Sequence, residues 1–590
     1  MTGEAGEPAF LDVERSVLGR RWTGPGAAAE RMGAAIAQAL DAPEALGRVL
    51  ARRGVAPEDA AAYLAPTLKA LTPDPSTLAD LDRAAERLVA AVKARERIAI
   101  FGDYDVDGAA SSALLVDWLR AQGLDATVHI PDRIDEGYGP NAPVMARLAA
   151  DHDLIFCVDC GTLSHEPIAA AAGADVVVAD HHLAGEALPV CAAVVNPNRH
   201  DDASGMGHLC AAGVVFLMLV AANRLLRASG RPTPDLMAAL DLVALATVAD
   251  VAPLVGFNRA LVRQGLKVMA RRARPGLAAL SDVARLTSAP TAFHLGYLLG
   301  PRINAGGRVG RADLGVRLLT ANGAEEASGL AEELDRLNEE RRRTEADVLA
   351  AALEEAEARL ERDGDAPLVW AAGAGWHPGV VGIVAARLKE RFERPAVVIG
   401  LDGAEGKGSA RSVEGVDLGA AVAASARAGA ILKGGGHKMA AGLTVAAEQV
   451  EAAMADLAAR LAPAMGAAPA ARALLIDAAL SAAAATPELV ERLEEAGPFG
   501  QAAPAPRFAV PAMKIAFAKR AGEDHLRLTL ADPAGGRLDA IAFRAFQSPL
   551  GPFLEGAAGA PVHVAGRLEI DDWGGRRKAK LRVEDAAPAG

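Results

Sequence analysis

Residues 97–108 read RIAIFGDYDVDG: an apolar run of strand length, Ile98 to Phe101, ends at Gly102 and continues into three aspartates at alternate positions, Asp103, Asp105 and Asp107. An extended chain projects residues i, i+2 and i+4 to one side, so the spacing predicts three carboxylates facing one space. Further apolar runs of similar length follow: ATVHI at 126–130, DLIFCVD at 153–159, ADVVVAD at 174–180 and AAVVN at 192–196. They alternate with helical stretches such as SSALLVDWLRAQG (111–123) and PIAAAAGA (167–174). Strands alternating with helices from about 76 to 255 predict a parallel α/β sheet. Ligands of such sheets bind beyond the carboxyl ends of the strands. Here those ends carry Asp103 to Asp107, then Asp159, then Asp180 followed by His181 and His182, and Asp250 after an apolar helical run is placed to close the set.

The rest of the 590-residue chain is patterned differently on either side of this sheet. Residues 1–75 are helical pieces broken by Pro57, Pro66, Pro73 and Pro75, an N-terminal accessory region. A mostly helical stretch completes a domain over 76–322, and a charge-dense segment with Leu330, Leu334 and Leu337 at helical spacing predicts a long connecting helix over 323–364. Residues 365–463 form a second, smaller α/β pattern, with strands PLVWAAG and PAVVIG and the glycine-rich GGGHKMAAG. Residues 464–590 are an alanine-rich linker and a β-rich tail of short alternating strands, HLRLTL and KAKLRV, suited to a small β-barrel of which the oligonucleotide-binding fold is one kind. In the last strand, Lys578, Lys580 and Arg582 are expected on one sheet face.

Lysine and arginine total 62 against 75 aspartates and glutamates, a formal net charge of −13, so uniform coating of nucleic acid by positive charge is excluded and any such contact must be local. Four cysteines in this length are no disulfide framework, and the first residues lack the basic and apolar parts of a secretory signal, which predicts a cytoplasmic protein. The apolar stretch Leu209 to Ala222 is shorter than the roughly 20 residues of a membrane span and is read as a buried core helix, with no membrane partner.

Six aspartates and two histidines in one cleft require cations, because carboxylates a few Å apart cannot all ionise unaided. Oxygen donors with imidazoles and no thiolate cluster suit Mn²⁺ or Mg²⁺ before Zn²⁺, and two such ions would serve in-line attack on phosphorus. The plain alternative for any one aspartate is a helix cap, but GDYDVDG, VDCG and ADHH together at strand ends are poorly explained that way.

GDYDVDG (102–108), VDCGT (158–162), ADHH (179–182) and TVADVAPL (247–254) resemble the successive motifs of the DHH phosphoesterase superfamily, and GGGHKMAAG (434–442) resembles the signature of its DHHA1 domain. RRGVAPEDAAAYLAPTL, PDRIDEGYGP, GPRINAGGRVGRA and GPFGQAAPAPRF extend the resemblance, over nearly the whole chain past residue 40, to the branch of that superfamily that degrades single-stranded DNA from its 5′ end. Ala503 and Ala505 depart from the polar residues usual at their positions in that branch, in a linker without catalytic duty. The implied architecture is α/β multidomain: a parallel-sheet DHH domain, a connecting helix, a DHHA1 domain and an OB-like barrel. The implied function is a two-metal 5′ to 3′ exonuclease of DNA repair and recombination, requiring two divalent cations, Mn²⁺ or Mg²⁺. The resemblance further implies that Asp105, Asp107, Asp159, His181 and Asp250 hold metal, and that Asp103, Asp180 and His182 touch or brace it, with His182 near the scissile phosphate. Arg133, Arg308, Ser409, Arg411 and His437, the amides of Gly435 and Gly436, and more weakly Arg302, correspond to residues that hold substrate phosphates. Single-stranded DNA is the implied partner, with a single-strand-binding protein and a helicase beside it and a monomeric enzyme. Two other readings are a phosphodiesterase of short oligonucleotides or cyclic dinucleotides, against which the β-rich tail speaks, and a non-catalytic nucleic-acid scaffold, against which the complete acid and histidine set speaks.

Other residues are read more plainly. Cys157 and Cys160 form a CxxC at the end of a buried-looking strand and are expected in the core, and His129 and His563, in apolar strands, are expected to be satisfied core or edge histidines rather than ligands. Trp376 beside His377, and Trp573 beside the basic 576–582 stretch, are candidates for stacking on a base.

Overall fold

The computed structural model describes residues 8–132, 136–137, 139–364, 366–465, 473–557, 559–572 and 577–589. These form two compact units, one of Pro73–Ala252 and Gln264–Ala468, the other of Met1–Thr72, Pro253–Arg263 and Pro469–Gly590.

The larger unit contains two sheets. In the first, β1 (Ile98–Gly102), β2 (Ala126–His129), β3 (Leu154–Val158), β4 (Asp175–Ala179) and β5 (Ala193–Val195) are all parallel, in the order β2-β1-β3-β4-β5. Every residue of β1 and β3 is buried, as expected of parallel strands covered on both faces, and Cys157 and Cys160 lie in that core at 0% and 1% exposure. The cover includes α1 (Val106–Ala121), α2 (Ala211–Ala228) and α3 (Leu240–Ala249), apolar nearly all round. Among the described residues α2 alone is long and apolar enough to cross a membrane, and most of it is buried inside the unit.

Two short turns, Ala292–His294 and the π-helical Leu295–Leu299, run into α4 (Gly300–Val309). The 40-residue α5 (Ala324–Asp363) follows. Its first half buries Leu330, Leu334 and Leu337, with Leu334 and Leu337 against Gly306 and Gly310 at the end of α4. Its second half buries Val348, Ala352 and Ala356 against the second sheet.

That sheet is mixed: β6 (Val369–Ala374), β7 (Ala396–Asp402), β8 (Glu405–Arg411), β9 (Lys433–His437) and β10 (Ala440–Ala446) lie in the order β9-β10-β8-β7-β6, and only the β6–β7 pair is parallel. Helix α6 (Pro378–Phe392) packs on it, its first backbone amides capped by His377 Nδ1, which accepts from Gly379 N at 3.0 Å. Trp376 is half-buried and packs against the same core.

In the smaller unit, β11 (Phe508–Ala521), β12 (His525–Ala531), β13 (Arg537–Ala542), β14 (Val562–Asp571) and β15 (Lys578–Pro588) close into a barrel through a β11–β14 pairing. The N-terminal segment is sewn to it: Ser16 Oγ (2.7 Å) and Trp22 Nε1 (3.2 Å) donate to the fully buried Asp585. His563 is half-buried and accepts from Ala512 N at 3.2 Å, and in the first sheet His129 pairs with Glu136 at 3.0 Å. The cationic face expected on β15 is altered by its neighbours. Lys580 pairs with Asp571 at 3.2 Å, Arg582 with Glu569 at 3.4 Å and Lys578 with Asp539 at 3.9 Å, so cross-strand acids offset its charge. Trp573 and Arg576 lie outside the described residues.

Candidate metal centre and phosphate pocket

Sheet register builds the first half of the site. Gly102, Val158, Ala179 and Val195 are aligned across β1, β3, β4 and β5, so the next residue of each strand falls in one row: Asp103, Asp159, Asp180 and Asn196. The ladder continues one step past the strands, with Asp159 N donating to Ala179 O and Asp180 N to Val195 O, both at 3.0 Å. Asp159 turns the chain away at φ 60°, a left-handed conformation that aspartate and asparagine tolerate better than other side chains.

The three aspartates of GDYDVDG do not share an extended strand, because the chain leaves β1 at Gly102 and enters α1 at Val106. Asp103 is the strand end, Asp105 the N-cap of α1, accepting from Asp107 N (2.8 Å) and Gly108 N (3.1 Å), and Asp107 lies in the first helical turn. They still converge. Asp103, Asp105 and Asp159 place carboxylate oxygens within 4.8 Å of one another, as do the donor atoms of Asp107, His181 and Asp250, and of Asp159, His181 and His182. His181 Nε2 stands 3.3 Å from Asp159 and 3.8 Å from both Asp107 and Asp250, linking the groups. Asp250 comes in as the C-cap of α3. Asp107 is fixed by the N-terminus of α2, whose Ala211 and Ala212 amides donate to its two oxygens at 2.6 and 2.8 Å.

Asp180 differs from the rest of the set. Its oxygens accept from Thr162 N (3.1 Å), His181 N (2.7 Å), His182 N (3.2 Å) and His182 Nδ1 (2.8 Å), so it braces the two histidines rather than facing an ion. Burial opposes its charge, yet the bond from His182 and these amides hold it below the usual aspartate range. Burial likewise opposes a charged His182, but the Asp180 bond and the fields of Asp103 and Asp250 lift it to about 9.

The reverse holds for the converging carboxylates. Burial, then the charges of Asp107, Asp105 and Asp103, pushes Asp159 well above the ordinary aspartate value; burial, then Asp107 and Asp105, pushes Asp250 up to about 8; and burial raises Asp107. A cluster of acids that disfavour one another's ionisation, with imidazoles and no thiolate among the donors, fits hard to borderline divalent cations. Among the described residues no thiol joins these groups, and burial raises Cys160 and Cys210 well above the ordinary thiol value.

Sequence reasoning missed the residues that hold this arrangement from behind. Asn196, fully buried, donates through Nδ2 to Thr162 Oγ1 and His182 O at 2.8 Å and accepts from Asn198 N, while Asn198 Nδ2 reaches His181 O at 2.6 Å. The signal was present: AAVVN ends its strand as ADVVVAD does, one strand further along the same row.

The second sheet supplies a cavity of about 360 Å³ lined by Pro378, Val381, Ser409, Arg411, Gly436 and Gly442, among others. Arg411 Nη1 donates to Ser409 Oγ at 3.0 Å, and a Cβ at Gly382 would stand 3.0 Å from both Ser409 Oγ and Arg411 Nη2, a role for Gly382 that the sequence reading did not see. Arg308, at the end of α4, reaches Gly379 O at 3.2 Å, beside the proline that lines the cavity. Gly435, Gly436 and His437 are exposed on β9, the sheet edge, with Gly436 at φ 154°. Arg302 stands apart from this group: its guanidinium binds Asp335 of α5 at 2.8 Å and Leu298 O at 2.7 Å, holding helix to helix. Arg133 lies outside the described residues.

A parallel sheet with a carboxylate row and a His-His pair at its strand ends, followed by a mixed sheet with a glycine-rich hairpin, defines a phosphoesterase of the DHH type. The DHH family N-terminal domain matches residues 97–247, the DHHA1 domain residues 365–462 and the RecJ OB domain residues 476–585. The single-stranded-DNA-specific exonuclease RecJ of Dickeya dadantii (strain 3937) is 38% identical over 566 residues, 92% of this chain and 96% of that protein. The crystal structure of RecJ from Thermus thermophilus with Mn²⁺ matches at a TM-score of 0.78 and 29% identity over 96% of this chain and 79% of that one, and its Mg²⁺ complex at 0.73 over 96% and 78%. The chain belongs to the RecJ family of single-stranded-DNA-specific exonucleases.

Proposed function

We propose that this exonuclease removes nucleotides one after another from the 5′ end of single-stranded DNA, with Asp105, Asp107, Asp159, His181 and Asp250 holding two Mn²⁺ or Mg²⁺ ions. The observation that carries the reading is the strand-end row Asp103–Asp159–Asp180–Asn196, with His181 Nε2 within 3.8 Å of Asp107, Asp159 and Asp250. When bound, such ions activate water for attack on phosphorus and neutralise the charge that develops on its oxygens. The chain does the rest. Asp103 completes the carboxylate group shared with Asp105 and Asp159. Asp180 accepts the Nδ1–H hydrogen bond of His182, which fixes the ring and leaves Nε2 turned to a phosphate oxygen or the leaving 3′ oxygen as a donor. Arg411, Ser409, Arg308, His437 and the Gly435–Gly436 amides hold the 5′ phosphate, guanidinium forks and bare backbone both matching phosphate oxygens.

We assign residues 76–322 and 365–463 as the two catalytic lobes, 323–364 as their connecting helix, and 1–75 with 464–590 as the accessory and strand-binding parts. A cytoplasmic monomer working with a single-strand-binding protein and a helicase belongs to the same reading. The test is digestion of strands labelled at either end, single and duplex, with and without a 5′ phosphate, in Mg²⁺ and in Mn²⁺. Release of 5′ mononucleotides from single strands is expected; first products from the 3′ end, or equal digestion of blunt duplex, would overturn the assignment.

A further inference from the structure

Aromatic side chains are scarce in this protein, 4% of residues, and few of those described are exposed. Among the described residues of the larger unit the only exposed large aromatic rings are Phe293 and Tyr297, 54% and 71% exposed. They sit one helical turn apart, ring centroids 5.0 Å apart and planes 27° from parallel, stacked on each other rather than folded onto the protein. The opposite face of the same turns, Ala292, Leu295 and Leu299, is buried, so the backbone beneath them is anchored. The segment carries a π-helical turn at Leu295–Leu299, a departure from regular helix that is frequent at functional sites.

Their position relative to the metal centre follows from three contacts. A Cβ at Gly296 would stand 3.4 Å from Val248, and one at Gly300 would stand 3.4 Å from Ala249 and 3.9 Å from Val106, so the segment lies against the end of α3 that Asp250 caps and against the start of α1. Further along, Asn304 Oδ1 accepts from Val106 N at 3.1 Å, and Gly307 packs against Tyr104 between Asp103 and Asp105. The helix therefore runs along the carboxylate loop like a rail. Arg308 stands at one end and the aromatic pair at the other, Tyr297 about 16 Å and Phe293 about 22 Å from it along the axis at about 1.5 Å per residue.

We propose that Phe293 and Tyr297 are a stacking platform for unpaired bases of the DNA strand a few nucleotides downstream of the scissile phosphate. The inference rests on the exonuclease reading above and adds a source of strand preference: bases within a duplex have their faces covered, whereas those of a single strand are open to a ring. Base–aromatic stacking is worth about 1–3 kcal/mol per base, so the pair would contribute roughly tenfold or more to affinity for a strand long enough to reach it.

The test uses the full chain as wild type, as Phe293→Ala/Tyr297→Ala and as Tyr297→Phe, on 5′-phosphorylated strands of increasing length from the dinucleotide up. The double variant is expected to raise KM about tenfold on long strands, with the loss shrinking as the strand shortens, and Tyr297→Phe to restore most of it. In an Asp159→Asn background, 2-aminopurine placed at successive positions should be quenched on binding at one or two sites, and the double variant should abolish that quenching. An unchanged KM on long strands, a loss equal at all lengths, or quenching that survives removal of both rings would overturn the platform. The fluorescence needs no turnover, so a wild type that failed to degrade single strands would sink the exonuclease reading while the quenching still decided this one.

Discussion

The two sheets of the larger unit build their sites in opposite ways. The first is parallel, buried on both faces, and places its chemistry off the ends of its strands, where register alone lines up Asp103, Asp159, Asp180 and Asn196. The second is mixed and places its chemistry within the strands, on Ser409 and Arg411 of β8 and on an edge strand, KGGGH, that is largely exposed. One site concentrates charge that requires a counter-ion; the other, the proposed phosphate pocket, lacks a side chain at Gly382, where a Cβ would stand 3.0 Å from both Ser409 and Arg411. On the proposed assignment, the contrast is between a cation site that needs a rigid, buried frame to hold like charges together and a phosphate pocket that leaves backbone bare.

The sharpest way to test the first half of that comparison is Asp159→Asn. Asparagine keeps the left-handed backbone, so the fold should survive, while Mn²⁺-dependent hydrolysis falls by at least about 10³-fold, beyond what one lost transition-state donor costs. Activity followed together with thermal unfolding separates the two effects; a variant that keeps more than a tenth of its activity would remove Asp159 from the centre. Asn196→Ala comes next. It unbraces Thr162 and the His182 carbonyl without touching a ligand, so calorimetric Mn²⁺ affinity should weaken roughly 10–100-fold, with activity partly recovered in excess Mn²⁺. Unchanged affinity would mean that the row is not a working unit.

For the second sheet, Arg411→Lys keeps the charge but loses the fork, and KM for 5′-phosphorylated strands should rise about tenfold, in line with about 1.5–3 kcal/mol for hydrogen bonds to charged groups. Strands ending in a 5′ hydroxyl should respond much less, and an equal response would move Arg411 out of the terminal-phosphate pocket. The smallest effect lies at the edge of the first sheet, away from any ion. Asp80 accepts from Arg199 at 2.9 Å and from Val194 N on β5 at 3.2 Å; burial opposes its charge, but these bonds win and lower its pKa. A depressed carboxylate contributes stability above its unfolded pKa and loses it as pH falls through the folded value. Asp80→Asn should therefore unfold more easily than wild type at pH 7, with the gap closing at pH below the ordinary aspartate value of about 3.9, as read by chemical denaturation at each pH.

Most of the first sheet was legible because its chemistry follows each strand in sequence: RIAIFGD, LIFCVD and VVVAD announce themselves as apolar runs ending in an acid. What stayed hidden needed the third dimension. That Asp105 caps a helix while Asp107 is clamped by Ala211 and Ala212, over a hundred residues on, cannot be read from a DxDxD spacing that suits a strand equally well. Arg302 looked like Arg308, in a stretch without acids, yet its partner Asp335 comes from the next long helix. The lysines and arginine of β15 alternate as expected, but cross-strand acids at 539, 569 and 571 decide how much of their charge reaches outside.

The single helix α5 also sets a phase relation between the two sheets. Its Leu330–Leu337 stripe fits one lobe and its Val348–Ala356 stripe the other, so the helix acts as an axle on which both lobes are keyed. At 3.6 residues per turn, one residue inserted between Asn338 and Val348 would turn the second stripe by about 100° relative to the first, while seven would nearly restore the angle but add about 10 Å of axial offset. Length changes in that stretch are thus constrained in both angle and reach, a form of gearing that ties the bite of the enzyme to the residue count of one helix.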